Sequence, residues 1–135
     1  MKKPALTRYN MKNARLSHGL SVKDPVLSMR DIGSFRLNKA LMELIGARVG
    51  DRVELLHDTN AKEWYLAFNK ADGFELRKAT NGGALFASVI LRNAIVEDIG
   101  PVKKSNSWVV AKTPTEAETD NGKAWAILTS TAEQP

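Results

Sequence analysis

The chain has 135 residues, of which 43% are hydrophobic and 26% are charged. This composition is typical of one small globular domain and excludes collagen-like, low-complexity and wholly disordered proteins. No apolar stretch approaches the roughly 20 residues of a membrane span, and Thr7, Arg8 and Asn10 interrupt the region where a signal peptide would carry its apolar run. We therefore expect a soluble, cytoplasmic protein with no membrane partner. Without cysteine, a disulfide, a thiolate zinc site and a cysteine nucleophile are excluded.

The net charge of +5 is concentrated near the N-terminus, because the first 33 residues contain seven basic and two acidic side chains. The rest of the chain is balanced. Apolar residues show no regular period between Tyr9 and Pro25. We therefore predict a basic N-terminal arm, 1–24, followed by a single domain, 25–135. The arm could neutralise nucleic-acid phosphates, or it could be a solvated terminus that only aids solubility.

The first half of the domain, about residues 25–70, has the pattern strand, strand, helix, strand, strand. Asn38 is predicted to cap a helix over 39–45, because its side-chain oxygen can accept from the free N–H groups of the first turn. Gly46 is predicted to end this helix in the left-handed conformation. The strands are predicted at 26–30, 34–37, 52–55 and 63–69.

The second half, about residues 74–130, repeats the same order of signals. Ser88 is predicted to cap a helix over 89–99, which stops at Gly100-Pro101. An exposed acidic loop or long hairpin tip is expected at 113–122, and a turn at 81–83. The strands are predicted at 74–78, 84–87, 108–111 and 124–128.

These repeated signals predict an internal duplication of a β-β-α-β-β unit, but two alignments compete. An offset of 50 residues pairs Gly33 with Gly83 and Asn38 with Ser88, and is favoured for the strands and caps. An offset of 54 pairs the segment 34–46 with 88–100. A second helix one turn longer than the first would reconcile the two offsets. Two such units could pack as a pseudo-symmetric pair around a common core.

Residues 33–55 carry a motif with defined spacing: Gly33, a short apolar strand, Lys39 opening a helix, Gly46, and then Gly-Asp-x-Val at 50–53. This pattern resembles the AbrB/SpoVT/MazE swapped-hairpin family. Three departures are visible. Asn38 replaces the family's proline, Ser34 replaces a basic residue, and the second half lacks Gly-Asp-x-Val.

The resemblance implies a small β-barrel built from two interleaved hairpin units, normally from two chains, with a basic face that binds DNA. The predicted fold class is α+β, mainly β, with two β-β-α-β-β units forming a pseudo-symmetric, swapped-hairpin-like barrel. Because one chain could supply both units, we expect either a monomer with an intrachain pseudo-dimer or a homodimer.

The predicted function is DNA binding of AbrB-like type, as a transcriptional regulator or a mobile-element accessory protein, with duplex DNA as partner. The alternative is a protein-binding module, antitoxin-like or self-assembling, that uses the loop 113–122 and has no nucleic-acid role. The predicted nucleic-acid-binding residues are Lys12, Arg15, Lys23, Arg30, Arg36 and Lys39.

No enzyme, cofactor or metal site is predicted, since neither His18 nor His57 has neighbours at catalytic or metal-ligand spacing. His57, next to Asp58, is predicted to cap a strand, and Asp98 to be a solvated charge. Five aromatic residues in alternating strands could stack on single-stranded bases, but core packing is the favoured role. They are Trp64, Tyr65, Phe68, Trp108 and Trp125.

Overall fold

The computed structural model describes residues 23–100 and 104–129, which form two five-stranded antiparallel sheets and two helices. The elements in chain order are β1 (Val26–Arg30), β2 (Ser34–Leu37), α1 (Lys39–Ile45), β3 (Arg52–Asp58), β4 (Glu63–Phe68), β5 (Phe74–Glu75), β6 (Arg77–Lys78), a 3₁₀ turn (Thr80–Gly82), β7 (Ala84–Ala87), α2 (Val89–Ile99), β8 (Ser105–Val109), β9 (Thr115–Glu116) and β10 (Lys123–Ile127). The first sheet has the strand order β6-β7-β2-β1-β8, and the second has the order β5-β3-β4-β10-β9.

Both helices begin and end where the sequence predicts. The Asn38 side chain accepts a hydrogen bond from the Leu41 N–H at 2.9 Å, and Gly46 closes α1 with a φ of 74°. In the same way, Ser88 Oγ accepts from the Leu91 N–H at 3.0 Å at the start of α2. With seven residues in α1 and eleven in α2, the second helix is one turn longer, as predicted.

Asn38 also holds the start of β1. Its Oδ1 accepts a second hydrogen bond, from the Val26 N–H at 3.0 Å, and its Nδ2 donates to the Asp24 carbonyl at 2.8 Å. One side chain thus joins the start of α1 to the segment that leads into β1. Proline has no side-chain polar group, so a proline at this position could form none of these bonds.

A single core lies between the two sheets. Its centre includes a stack of three phenylalanine rings, in which Phe86 lies 4.9 Å from both Phe35 and Phe74, measured between ring centroids. Phe35 and Phe86 belong to the first sheet, and Phe74 to the second. Trp64, Trp108 and Trp125 are also buried, as predicted. Tyr65 is an exception because it lies on the outer face of β4, paired with Leu56.

The two sheets do not close into the single barrel that we predicted. They meet at two places. The predicted strand 74–78 divides at the buried Leu76, so that β5 belongs to the second sheet and β6 to the first. Across the molecule, an isolated bridge between Val110 and Ile127 connects the end of β8 to β10. Neither junction is a continuous ladder of hydrogen bonds, so the architecture is two sheets around one core.

The offset of 50 is right for the helix caps and wrong for the strand faces. β2 has the burial pattern half-buried, buried, half-buried, buried, whereas β7 is buried, half-buried, buried, exposed. Phe35 faces the core, but its predicted equivalent Leu85 faces outward and pairs with Arg36. Because side chains alternate along a strand, the two strands are out of phase by one residue relative to their caps.

Three smaller expectations are also corrected. β8 begins at Ser105, ahead of the predicted 108, whereas the segment 113–122 is a hairpin tip, one of its two expected forms, because its short strand β9 pairs with β10. His57 does not cap a strand, since its ring stacks on Trp64 with the centroids 4.2 Å apart. Asp98 is not simply solvated, because it accepts a hydrogen bond from Trp64 Nε1 at 2.9 Å and lies 3.3 Å from His57 Nε2.

Candidate nucleic-acid interface

The outer face of the first sheet carries a row of side chains that crosses all five strands. Arg77 of β6 pairs with Leu85 of β7, which pairs with Arg36 of β2. Arg36 pairs with Ser28 of β1, and Ser28 with Ser107 of β8. Paired residues in antiparallel strands point to the same side of a sheet, so all five face away from the core.

Neighbouring rows have the same character. Arg30 at the end of β1 pairs with Ser105, and Ser34 pairs with Ala87. The described residues of this outer face include three arginines and four serines but no aspartate or glutamate. We call this surface the basic face, and it comprises Ser28, Arg30, Ser34, Arg36, Arg77, Leu85, Ala87, Ser105, Ser107 and Val109.

The outer face of the second sheet has the opposite charge. The register of β3 with β4 and β5 places four carboxylates and a single arginine among its described residues. We call this surface the acidic face, and its charged residues are Arg52, Glu54, Asp58, Glu63 and Glu75. Because the two sheets enclose one core, the basic and acidic faces lie on opposite sides of the molecule.

The carboxylates of the acidic face raise the pKa of one neighbouring group, Tyr65. Tyr65 Oη donates a hydrogen bond to the Glu63 carboxylate at 2.7 Å. This bond raises the pKa of Tyr65 above its usual 10.0, and burial and the negative charges of Glu63 and Asp58 raise this pKa further. All these effects favour the neutral phenol over a second negative charge.

Arg36 is held in place at the centre of the basic face by the turn that precedes β7. Its Nη2 donates to the Thr80 carbonyl at 2.7 Å, and its Nη1 lies 3.3 Å from Thr80 Oγ1. A guanidinium has five N–H donors, so three stay available to a ligand. The close approach requires Gly83, because a Cβ there would lie 2.7 Å from the Leu37 carbonyl oxygen and 3.2 Å from Arg36 Nη2.

Lys39, the first residue of α1, lies beside the same turn. A Cβ on Gly82 would be 3.0 Å from both Cγ and Cδ of Lys39, so the lysine stem rests directly on the glycine. The turn before β7 thus holds the guanidinium of Arg36 and contacts the side-chain stem of Lys39. Fixed side chains lose less conformational entropy when they bind a ligand.

The structure brings together only part of the predicted site. Arg30 and Arg36 lie on the basic face, Lys39 lies next to it, and Lys23 is exposed just ahead of β1. Two predicted residues, Lys12 and Arg15, lie outside the described residues.

The predicted site leaves out the serines and Arg77, although the sequence places Arg77 and Lys78 among the charges that could add to a basic surface. Arg77 follows the buried Leu76 in an extended segment. Because side chains alternate along a strand, this position predicts that Arg77 points away from the core. Within residues 23–100 and 104–129, the side chains of Arg30 and Arg77 make no hydrogen bond or ion pair, so both charges are open to a ligand.

The described residues were also compared with the requirements of a metal site and of a membrane span. No group of three or more histidine, aspartate or glutamate side chains there could hold a metal ion. Neither described helix is long and apolar enough to cross a membrane. Comparisons with protein-family models, with curated proteins and with solved structures find no match to this chain.

Proposed function

We propose that this protein is a DNA-binding protein of AbrB-like type that holds duplex DNA on the basic face. The observation that carries the proposal is the separation of charge between the two sheets. Three arginines without a carboxylate occupy one outer face, and four carboxylates with one arginine occupy the other. A polyanion is attracted to the first surface and repelled by the second, so it has one favourable orientation.

The residue types of the basic face suit phosphate binding. Arginine presents a planar fork of donors that matches phosphate oxygens, and serine hydroxyls add short hydrogen bonds. Arg77 and Arg36 are separated by one intervening strand, which places their backbones roughly 10 Å apart. At this distance each arginine can reach a different phosphate. Such contacts release counterions, and the resulting affinity depends steeply on salt.

The strand pairings support the family assignment and the duplication that we propose with it. The pairings are preserved when each strand of the first half is exchanged with its proposed counterpart in the second half: β1 with β5 and β6, β2 with β7, β3 with β8, and β4 with β10. Under this exchange the pairing β1·β2 becomes β6·β7, and the pairing β1·β8 becomes β5·β3. The pairs β2·β7 and β4·β10 each map onto themselves. Even β3·β4 has a counterpart, in the bridge from Val110 to Ile127. A swapped-hairpin dimer fused into one chain would have this pattern.

The alternative function, protein binding through the acidic loop, has less support. The loop folds back on the domain, since Asp120 accepts a hydrogen bond from the Lys70 N–H and β9 pairs with β10. Thr119 Oγ1 also binds the backbone of Lys123 on both its N–H and its carbonyl. A loop engaged in this way offers fewer free groups to a partner.

The test is a set of binding isotherms for the full chain with duplex DNA at several salt concentrations. We expect Arg30→Gln and Arg77→Gln each to weaken binding and to reduce the slope of log affinity against log salt by about one. Arg52→Gln is the matched control, because Arg52 is an exposed strand arginine on the acidic face. It should leave the slope unchanged and, if it alters binding at all, weaken it far less than the two variants of the basic face do.

Two results would contradict the proposal. One is the absence of DNA binding by the full chain at low salt. The other is an equal loss in the Arg52→Gln control and in the two variants of the basic face, which would mean that the face has no special role. Co-purification of a stoichiometric protein that is lost when the loop 113–122 is deleted would favour the alternative function.

A further inference from the structure

Three exposed aliphatic side chains form a ridge at one end of the basic face. Ile32 is 65% exposed in the turn between β1 and β2, and Val89 and Ile90 are 60% and 84% exposed at the start of α2. The turn and the helix are in contact, because the Ser88 N–H donates to the Gly33 carbonyl at 2.9 Å. A Cβ on Gly33 would lie 3.3 Å from Val89 Cγ2. We call Ile32, Val89 and Ile90 the aliphatic ridge.

The ridge continues directly from the basic face. Ile32 follows Arg30 by two residues, and Val89 follows Ala87 by two. Arg30 and Ala87 both belong to the row of outward side chains that also contains Ser34. The strands of the basic face therefore lead directly into the turn and the helix start that carry the ridge.

The protein holds the ridge in a fixed conformation. The Gly33 N–H donates to the Arg30 carbonyl at 2.9 Å, and the Asp31 N–H donates to the Lys104 carbonyl at 3.0 Å. The exposed Asp31 thus has two basic neighbours: Arg30, which precedes it in the chain, and Lys104, whose carbonyl accepts its N–H. Exposing three large aliphatic groups at fixed positions is unfavourable in water, and their burial against a ligand would recover that free energy.

We infer that the aliphatic ridge packs into a base step of the bound duplex, so that this protein bends or unstacks the DNA that it holds. The inference rests on the proposed function. Base faces are the largest apolar surfaces of a duplex, and isoleucine side chains are known wedges in proteins that kink DNA. A second copy of the chain is a less favourable occupant, because docking through the ridge would bring two basic faces side by side.

The inference also predicts a preference among DNA sequences. Unstacking costs a few kcal/mol per step and is least costly at flexible pyrimidine–purine steps such as TA and CA/TG. A duplex with a central TA step should therefore bind the full chain more tightly than a duplex with a rigid A-tract at the same place.

The experiment uses the full chain, a duplex carrying 2-aminopurine at its central step, and a second duplex with a fluorescence donor and acceptor at its two ends. Binding should increase 2-aminopurine fluorescence and shorten the end-to-end distance. The double variant Ile32→Ala/Ile90→Ala should still bind, roughly tenfold more weakly, because it loses buried apolar area but no charge. It should lose most of both fluorescence changes. Val49→Ala is the matched control, since Val49 is another exposed aliphatic residue, at 53%, away from the ridge.

The possible failures are distinguishable. If the full chain binds no DNA, the proposed function fails and this inference fails with it. If it binds with a normal salt dependence but neither fluorescence signal changes, the inference alone is wrong. It is also wrong if the double variant distorts DNA as the unmodified chain does. The ridge would instead bind a second copy of the chain, or an anionic membrane, if the double variant abolished dimer formation or vesicle binding and left the DNA distortion unchanged.

Discussion

At the scale of single residues, the Asn38 side chain forms three hydrogen bonds that connect α1 to the start of β1. Its side chain accepts hydrogen bonds from two backbone N–H groups and donates to a carbonyl, and so joins α1 to both Val26 and Asp24. Each partly buried hydrogen bond of this kind contributes about 1 kcal/mol to stability. Asn38 therefore stabilises the first half of the domain.

Asn38→Ala should lower the free energy of unfolding by about 2 kcal/mol, because three backbone groups lose their partner and water replaces it only in part. Urea unfolding followed by circular dichroism measures this change. Asn60→Ala, at an exposed loop position, is the control and should lie within about 0.5 kcal/mol of the unmodified chain. Equal stabilities for the two variants would show that Asn38 acts only as an exposed polar residue.

Only part of this role could be predicted from the sequence. The bond from Asn38 to Leu41 spans three residues, so a local rule for helix caps identifies it. The bonds to Val26 and Asp24 span 12 and 14 residues and depend on how β1 lies beside the helix start. No local pattern contains that information.

At the scale of elements, α2 is attached to the second sheet through one carboxylate. Asp98 accepts from Trp64 Nε1 at 2.9 Å, and His57, which stacks on the same Trp64 ring, lies 3.3 Å from the other carboxylate oxygen. The contact joins the last turn of α2 to β3 and β4. It also fixes the far end of the helix whose first turn forms the aliphatic ridge.

Asp98→Ala should destabilise the protein by about 1 to 3 kcal/mol, because the Trp64 N–H loses its acceptor in a partly buried position. Asp98→Asn should cost less, since its amide oxygen can still accept that bond. Urea unfolding gives the size of the effect, and faster hydrogen exchange confined to α2 would locate it. Glu97→Ala, at the exposed neighbouring position, is the control, and a loss as large as that of Asp98→Ala would contradict the assignment.

The elements themselves were largely predictable, but their arrangement was not. Capping residues and terminal glycines mark both helices in the sequence, and the lengths of seven and eleven residues follow. The division of 74–78 at Leu76 has no such marker, because both parts are extended. Which sheet each part joins is decided by pairing with β3 and β7, which lie elsewhere in the chain.

At the scale of the whole molecule, the balanced charge of the domain conceals two surfaces of opposite sign. Basic and acidic residues alternate too closely along the chain for composition to separate them, as Glu75 of the acidic face and Arg77 of the basic face illustrate, only two residues apart. The separation appears only when the register of ten strands is known. The sequence could therefore predict Arg30 and Arg36 as candidates but not the face that they share with Arg77.

One chain should bind one DNA site, because the basic face is complete within a single molecule. Its arginines come from β1 and β2 in the first half and from β6 in the second. Sedimentation of the full chain with a short duplex should give a complex of one protein to one duplex, without cooperativity. A complex that forms only with two chains would contradict this expectation, and excess protein is the control for non-specific loading.

The interleaving of strands has one more consequence, for how the polypeptide is held together. Lys70, Ala71 and Asp72 form an exposed connection between β4 and β5. Each sheet draws strands from both sides of this connection. A protease that cut there would release neither piece, since every strand would keep its hydrogen-bonded neighbours. The connection therefore acts mainly during folding, when it raises the effective concentration of each piece for the other.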